Sequence, residues 1–431
     1  MSETVRIPSI RPEHAAVHTG VTGAFLSRCA GAIAEALRIG LDGLVGIAPQ
    51  LFIWITDERN LRTAWDYLAA HGGQSPGPNG LRYADLTEYE TWSLMRCLRD
   101  ATRAGIYLPG PVQKIRIPKL SGSGFRTITL QNIEDRVVAR AITQIIQPIL
   151  DPRFDIASFG YRPGLSRMHA LATAEAYTTR ESLPCWIVDD GRDAFDNISR
   201  NRLLDALRLT LPDNVTKLIQ LVMTTDSRRG VRQGSPMSPL LLNVYLDHFL
   251  DKPWRRRHPN EPLIRSADDI LVCCGNVGQA QAVYHDLKKM MTAAGMPLKG
   301  NEATAIVDLS RGKNADWLGY RLSYQADDLV CRIAERAWGA LPLRLEHAHS
   351  KPCSPLVANQ VIEGWMDQLG PCFRCEHTND VVNWVRSIAA DLAFDEIPTN
   401  QELRRRWRAA FDRWNAIREQ TRAAKNCRSF I

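Results

Sequence analysis

The chain has 431 residues, with 54 Lys or Arg and 47 Asp or Glu, which gives a formal net charge of +7. This length allows a large core and two or three subdomains, and a hydrophobic content of 45% is ordinary for a globular protein. No apolar run is long enough to span a bilayer, and the first residues lack the basic-then-apolar layout of a secretory signal. We therefore expect a cytoplasmic protein with no membrane partner.

The first part of the chain predicts helices and one loop. Apolar residues recur at helical spacing over residues 24–44, 61–70 and 89–104. Residues 72–80 contain four Gly and two Pro, so we expect a loop between the second and third helical segments.

A β-hairpin is predicted next. Residues 112–119 and 125–130 alternate apolar with polar or basic side chains, and a Ser-Gly turn at residues 121–124 separates them. The predicted hairpin carries two cations, Lys119 and Arg126. Cations on such a hairpin can neutralise phosphate charge, although solvated strand residues are the simpler interpretation.

Two later stretches place pairs of carboxylates at strand ends. Residues 186–190 form an apolar strand that ends in Asp189 and Asp190. Asp268 and Asp269 lie between two apolar runs, which predicts a hairpin with this acidic pair at its turn. A single acidic turn is most often a solvated surface feature. Two acidic strand ends, however, can meet in one sheet.

Carboxylates that lie together are costly in free energy unless a cation compensates them. Hard oxygen ligands of this kind suit Mg²⁺ or Mn²⁺. Two such ions about 3.5–4 Å apart can activate an attacking hydroxyl and stabilise a leaving pyrophosphate. The acidic stretches therefore predict a two-metal site.

A third stretch lies between the two acidic ones. It contains Gln233 and Gly234, and glycine allows a backbone to approach a ligand closely. Pro236 and Pro239 then predict the start of a helix. The stretch includes a short basic run suited to nucleic-acid phosphates, made up of Arg228, Arg229 and Arg232.

These three stretches, in this order and at these separations, resemble the palm motifs of reverse transcriptases, above all bacterial enzymes of the group II intron type. The resemblance covers about residues 60–370. It implies an α/β (α+β) right-hand polymerase, with fingers and an antiparallel palm sheet followed by an all-helical thumb. The implied division is an N-terminal helical extension (1–60), fingers (61–180), palm (181–325) and thumb (326–431).

The resemblance also implies roles for particular side chains. Asp190, Asp268 and Asp269 would be the catalytic carboxylates and would hold two Mg²⁺ ions, or Mn²⁺, together with the backbone carbonyl of Gly191. Asp189 should point to the opposite face of the strand. The residues implied to contact an incoming dNTP are Lys119 and Arg126 at its triphosphate, Phe195 as a steric gate against a ribose 2′-hydroxyl, and Gln233 and Gly234 beneath the nascent base pair. A core aromatic is the alternative for Phe195.

Several arginines are candidates for nucleic-acid contact. Arg162 lies within residues 158–164, a segment that closely matches the family, and it has a template role or a structural one. Residues 401–431 carry eight Arg and one Lys against three acidic residues, which suggests phosphate contact or else a solvated helix face. In the predicted last helix, Trp407, Phe411 and Trp414 follow the spacing of a buried stripe. The arginines expected to face RNA are Arg404, Arg405, Arg406 and Arg408.

Two of the departures from the family pattern concern the expected chemistry. Ser266 stands where the family most often has Tyr before the Asp pair. Ala303 stands where the family commonly has a Lys proposed to protonate the leaving pyrophosphate. Lys299 would substitute only if its loop folds differently, so we expect slow or unusual synthesis.

The sequence therefore predicts an RNA-directed DNA polymerase that copies an RNA template into DNA from dNTPs. A dedicated non-coding RNA and a role in antiphage defence rest on family analogy alone. The alternatives are an intron-encoded maturase, a template-independent DNA polymerase and a structural RNA-binding subunit. A partner protein or a homo-oligomer is compatible with each of them.

Overall fold

The computed structural model describes residues 21–118, 125–223, 229–351 and 353–423. The described helices are α1 (Val21–Ile39), α2 (Leu41–Ile55), α3 (Glu58–His71), α4 (Glu88–Arg103), α5 (Ile133–Leu150), α6 (Arg167–Arg180), α7 (Ala194–Asn197), α8 (Arg200–Arg208), α9 (Asp213–Met223), α10 (Ser238–Leu246), α11 (Lys252–Arg257), α12 (Val277–Ala293), α13 (Glu302–Ala305), α14 (Glu335–His349), α15 (Ser354–Asp367), α16 (Thr378–Asp391) and α17 (Asn400–Ala423). The described strands are β1 (Gln113–Pro118), β2 (Phe125–Leu130), β3 (Cys185–Asp190), β4 (Leu263–Ser266), β5 (Asp269–Cys274), β6 (Ile306–Asp308), β7 (Ala315–Trp317), β8 (Tyr320–Gln325) and β9 (Asp328–Ile333). Among these helices, none combines the length and apolar character needed to cross a bilayer.

Several helices begin where a side chain satisfies a free backbone N–H. Asp57 accepts from the N–H of Arg59 at the start of α3. Thr87 and Glu90 form a reciprocal capping box at the start of α4. Asn276 accepts from the N–H of Gln279 at the start of α12. Local sequence therefore sets these helix starts.

The central sheet has the strand order β4-β5-β3-β6, and every neighbouring pair is antiparallel. Alternate side chains of β3 enter two different hydrophobic cores, as the period of a strand requires. Ile187 joins the core formed with the N-terminal helices and α12, whereas Trp186 joins the core formed with α6 and the C-terminal helices. Both faces of the sheet are therefore covered, and the strand ends remain as the accessible part.

The register of this sheet places the predicted acidic strand ends together. Asp190 is the last residue of β3 and lies directly opposite Asp269, the first residue of β5. Ser266 and Asp269 pair across the β4–β5 hairpin. The expected antiparallel palm sheet with its acidic end is therefore present.

The β1–β2 hairpin lies against the predicted palm through its backbone. The N–H of Thr129 donates to the carbonyl of Gln233 at 2.8 Å. The predicted turn at residues 121–124 and Lys119 lie outside the described residues. Arg126 lies in β2, but its side chain is not among those that the structure describes.

A second antiparallel sheet, β7-β8-β9, leads into the C-terminal helices. Residues 326 and 327 form the turn between β8 and β9, so the predicted boundary between palm and thumb at residues 325 and 326 falls inside a hairpin. After β9, the described residues form helices and one 3-10 turn, Gly370–Cys372. The helical part of the predicted thumb therefore begins with α14.

Trp407 of α17 is one of the largest buried side chains of the C-terminal helices. It is fully buried, its indole N–H donates to the carbonyl of Leu369 at 2.8 Å, and its ring meets that of Phe373 edge-on. Because truncation leaves both a cavity and an unpaired carbonyl, we expect Trp407→Ala to lower the free energy of unfolding by about 3–5 kcal/mol. Urea denaturation followed by circular dichroism measures this change.

Trp384 supplies the matched control, because it lies on α16 in the same group of helices but is 63% exposed. We expect Trp384→Ala to cost less than about 1 kcal/mol. Equal losses in the two variants would contradict the placement of Trp407 in the core.

Candidate active site

Three carboxylates converge at one end of the central sheet. Asp268 lies in the two-residue turn of the β4–β5 hairpin, after Ala267, whose φ of 61° is in the left-handed region. The backbone N–H of Gly191 donates to the carbonyl of Asp268 at 3.1 Å, which joins the hairpin turn to the end of β3. The side chains of Asp190, Asp268 and Asp269 are each partly exposed, so the acidic end is open to a ligand.

The electrostatics of this cluster favour a bound cation. Burial raises the pKa of Asp269 to about 6, and the charges of Asp268 and Asp190 add to the shift. Burial also raises the pKa of Asp268. Carboxylates that resist ionisation for these reasons are stabilised as anions when a positive charge lies beside them.

The cation that the structure places there is Lys299. Its ammonium forms an ion pair with Asp190, and its backbone N–H donates to the carbonyl of Asp190 at 3.0 Å. Across the part of the chain that the structure describes, no three His, Cys, Asp or Glu side chains form a ready-made metal site. The oxygen donors nevertheless suit Mg²⁺ or Mn²⁺, provided that Lys299 releases Asp190.

Asp189 faces the opposite side of β3 and holds the loop that carries Lys299. It is buried and accepts from the N–H of Gly300 at 2.9 Å. The loop before Lys299 is fixed as well, because the N–H of Arg192 donates to the carbonyl of Pro297 at 2.8 Å. Ala303 lies in α13 and offers no polar group, so Lys299 supplies the lysine ammonium beside these carboxylates.

A buried arginine holds the hairpin turn in place. Arg265 is fully buried, and its guanidinium donates to Asp251 at 2.6 to 3.0 Å. It also donates to the side chains of Asn243 and Ser158 and to the carbonyl of Ala267. The last of these bonds reaches the residue directly before Asp268, so the position of that carboxylate depends on this network.

The segment around residue 160 packs directly beneath the turn. The N–H of Phe159 donates to the carbonyl of Arg265 at 2.8 Å, which extends the sheet beyond β4. A Cβ at Gly160 would collide with the backbone nitrogen of Ala267. Only glycine allows this close approach.

Tyr161 was not among the predicted site residues, but it lies beside one. Its φ is 58°, its side chain is 52% exposed, and its ring is 6.4 Å from the ring of Phe195 at 60°. A non-glycine residue in this strained conformation often marks a functional site. The sequence gives no sign of a left-handed φ at a tyrosine, so this neighbour was missed.

The structure connects the predicted nucleotide-contacting residues Phe195, Gln233 and Gly234 to the segments around them. Phe195 is partly buried against the core, and its carbonyl accepts from the N–H of Val231 at 2.9 Å. Gly234 has φ of 99° and packs against Ile128 of β2. Gln233 joins the β1–β2 hairpin through the bond to Thr129.

Three of the predicted nucleic-acid contacts have side chains that are buried or ion-paired within the fold, and for Arg162 this favours the structural alternative. Arg162 is nearly buried, with an ion pair to Asp151 at 3.0 Å and bonds to the carbonyls of Asp155 and Ser158. Arg232 is buried. Arg406 binds Glu363 at 2.9 Å and Asp367 at 2.7 Å, which ties α17 to α15.

The remaining predicted arginines are more accessible. Arg229 is exposed, and Arg228 lies outside the described residues. Arg404, Arg405 and Arg408 line an open groove of about 590 Å³ together with Thr378 and Asn379, at the N-terminus of α16. Cations beside the positive end of a helix favour an anion such as a phosphate.

Comparison with known proteins gives the class of this site. Residues 117–322 match the family model for reverse transcriptase (RNA-dependent DNA polymerase). Protein YkfC of Escherichia coli is 30% identical over 195 residues, which cover 42% of this chain and 51% of that protein. The group II intron-encoded protein LtrA of Lactococcus lactis is 29% identical over 177 residues, or 38% of this chain and 28% of LtrA. The putative COX1/OXI3 intron 2 protein of Saccharomyces cerevisiae is 26% identical over 219 residues, or 48% of this chain and 25% of that protein.

The segment 117–322 is thus a reverse transcriptase domain of the group II intron-like type, and the right-hand polymerase fold is confirmed. Reverse transcriptases generally use divalent metal ions. The aligned regions span about half of YkfC and about a quarter of the other two relatives.

Because Arg265 is buried, we expect Arg265→Met to lower the free energy of unfolding by about 3–5 kcal/mol, since it leaves the Asp251 carboxylate buried without its partner. Adding Asp251→Leu removes that unpaired charge. The double variant should therefore be more stable than Arg265→Met alone. Urea titrations of the three proteins measure both differences.

Arg256→Met is the control, because Arg256 is exposed on the neighbouring α11 and we expect its loss to change stability by about 0.5 kcal/mol or less. If the double variant is less stable than Arg265→Met, the unpaired charge of Asp251 is not the reason that Arg265→Met lowers the free energy of unfolding.

Proposed function

We propose that this protein is an RNA-directed DNA polymerase that extends a primer with dNTPs on an RNA template. The single observation that carries the proposal is the register of Asp190 opposite Asp269, with Asp268 in the adjoining turn, inside a reverse transcriptase domain. These three carboxylates are the proposed catalytic residues. The alignments with these relatives cover less than half of the chain. The activity is therefore argued from the site and not from the fold.

The proposed chemistry divides between bound metal and side chains. Two Mg²⁺ ions, or Mn²⁺, would supply activation of the primer 3′-hydroxyl and stabilisation of the leaving pyrophosphate. Asp190, Asp268 and Asp269 would hold these ions, with the carbonyl of Gly191 as a further oxygen donor. Phe195, with Tyr161 edge-on to it, would line the sugar site and exclude a 2′-hydroxyl.

The proposed nucleotide and nucleic-acid contacts surround this centre. Lys119 and Arg126 are proposed at the triphosphate, and Gln233 and Gly234 beneath the nascent base pair. Support comes from the bond between Gln233 and β2, which brings the hairpin next to the palm. The proposed phosphate contacts are Arg228 and Arg229 in the basic run before Gln233, and Arg404, Arg405 and Arg408 in the groove on α17.

The finer biological role is also a proposal. We infer a dedicated non-coding RNA as template, a role in antiphage defence and a cytoplasmic location, on the analogy of compact bacterial reverse transcriptases. The exposed arginines of the groove support RNA binding, because clustered cations attract a phosphate backbone.

An intron-encoded maturase is the second candidate, because a group II intron-encoded protein is among the relatives. A maturase would bind and fold RNA without needing the carboxylates. Retained splicing of a host intron by an Asp268→Ala protein would favour the maturase. Loss of all activity with that change would favour the polymerase.

The first test supplies labelled dNTPs and Mg²⁺ to the protein purified with its retained RNA. We expect Asp268→Asn/Asp269→Asn to reduce incorporation by at least about a thousandfold, because the metal ligands stabilise charge in the transition state. RNA retention should be unchanged. Sequencing the product of the unmodified protein identifies template and primer.

Asp205→Asn/Asp213→Asn is the matched control, since it removes two exposed carboxylates from α8 and α9. Incorporation by this control should equal that of the unmodified protein. Full incorporation by Asp268→Asn/Asp269→Asn would remove these two carboxylates from the mechanism.

Sugar selection is tested at Phe195. We expect Phe195→Ala to lower the preference for dNTPs over rNTPs by about 10- to 100-fold, because the ring would no longer exclude the extra hydroxyl. The ratio of kcat/KM values for one dNTP and its rNTP measures this preference. Phe195→Tyr keeps the ring and should keep the preference, whereas an unchanged ratio in Phe195→Ala would leave Phe195 as a core residue only.

A further inference from the structure

The ammonium of Lys299 is paired with Asp190, one of the three carboxylates that a metal ion would need. We propose that Lys299 is an internal counter-cation, which neutralises the metal-free carboxylates by binding Asp190 and which a divalent ion must displace. The ammonium would thereby set how tightly the palm binds metal. This inference rests on the proposed function of the same site.

The first support is the way the backbone fixes Lys299 beside its partner. The N–H of Lys299 donates to the carbonyl of Asp190, and the next N–H, that of Gly300, donates to the carboxylate of Asp189 at 2.9 Å. Asp189 in turn accepts from the N–H of Asp190 at 2.8 Å. One strand end therefore holds the lysine through two consecutive residues, and the ion pair is built into the fold.

The second support is the lack of space around this loop. A Cβ at Gly300 would lie 2.9 Å from Oδ2 of Asp189, closer than side-chain atoms normally approach. A side chain at residue 300 would therefore have to displace the Asp189 carboxylate that holds this loop. Gly300 lies directly beside Lys299, at the point where the loop packs against Asp189.

The third support is the balance of charge and exposure. Three carboxylates meet here, and Lys299 lies close enough to interact favourably with Asp268 and Asp269 as well as Asp190. Its side chain is 43% exposed and that of Asp190 is 30% exposed. Because it is partly exposed, the ammonium can move into solvent when a divalent ion binds Asp190.

A permanent structural salt bridge makes the opposite prediction. If Lys299 only stabilised the fold, its removal would lower stability and leave metal affinity unchanged or weaker. If it competes with the metal, its removal lowers the stability of the metal-free protein but tightens metal binding. The two measurements together separate these roles.

The experiment compares Lys299→Met with the unmodified full-length protein at one pH and ionic strength. Free Mn²⁺ is followed by electron paramagnetic resonance during titration, and thermal unfolding is recorded without metal. We expect Lys299→Met to bind Mn²⁺ about 3- to 10-fold more tightly, because a competing unit charge in a partly exposed pair is gone. We also expect a lower melting temperature without metal. Lys299→Gln, which keeps a polar side chain, should tighten binding in the same way if Lys299→Met folds poorly.

Two control variants separate a general charge effect from a local one. Lys351→Met removes one exposed positive charge just beyond the C-terminal end of α14 and should leave Mn²⁺ affinity unchanged. Lys299→Arg keeps the local charge and should not tighten Mn²⁺ binding.

Unchanged or weaker Mn²⁺ affinity in both Lys299→Met and Lys299→Gln would overturn the inference while the metal centre stands. If the unmodified protein binds no more Mn²⁺ than Asp268→Asn/Asp269→Asn does, the proposed metal centre fails, and the competition proposed for Lys299 fails with it.

Discussion

The palm depends on a positive charge buried completely inside it. The guanidinium of Arg265 is out of contact with water, and an unpaired charge in that position would cost several kcal/mol. The side chains of Asp251, Asn243 and Ser158, together with the carbonyl of Ala267, satisfy it. These partners come from α10, the π-helical segment Asp247–Asp251 that follows it, the segment before α6 and the hairpin itself. The hairpin turn is therefore placed only when all of these parts of the palm have assembled.

This constraint explains how a small turn can hold costly carboxylates in position. Asp268 and Asp269 are crowded by each other and by Asp190, and burial raises the pKa of Asp269 to about 6. Left to itself, a two-residue turn would move to separate these charges. The bond from Arg265 to Ala267 on one side and the bond from Gly191 to Asp268 on the other prevent that movement. The buried hydrogen bonds of Arg265 thus stabilise a turn in which three carboxylates lie unfavourably close together.

Sequence predicted the parts of this arrangement that depend on local pattern. Apolar strands that end in Asp gave the sheet and the position of the carboxylates, because strand period and hairpin turns are local properties. The sequence did not predict which arginines form ion pairs within the fold. Arg406 looked like an RNA contact, but its partners Glu363 and Asp367 lie about forty residues away along the chain. The ion pair of Lys299 with Asp190 spans an even longer separation, so only the fold reveals it.

The same long-range pairing makes the C-terminal helices part of the palm structure. Trp186 of the central strand packs in one core with residues of α14, α15 and α17, so the sheet and these helices share their interior. Glu175 of α6, a helix against that sheet, is buried and accepts from Arg418 of α17 at 2.6 Å. Arg336, at the start of α14, lies near enough to Asp269 to favour its charged form. A change in the position of α14 or α17 would therefore alter both the packing behind the central sheet and the charge around the carboxylates.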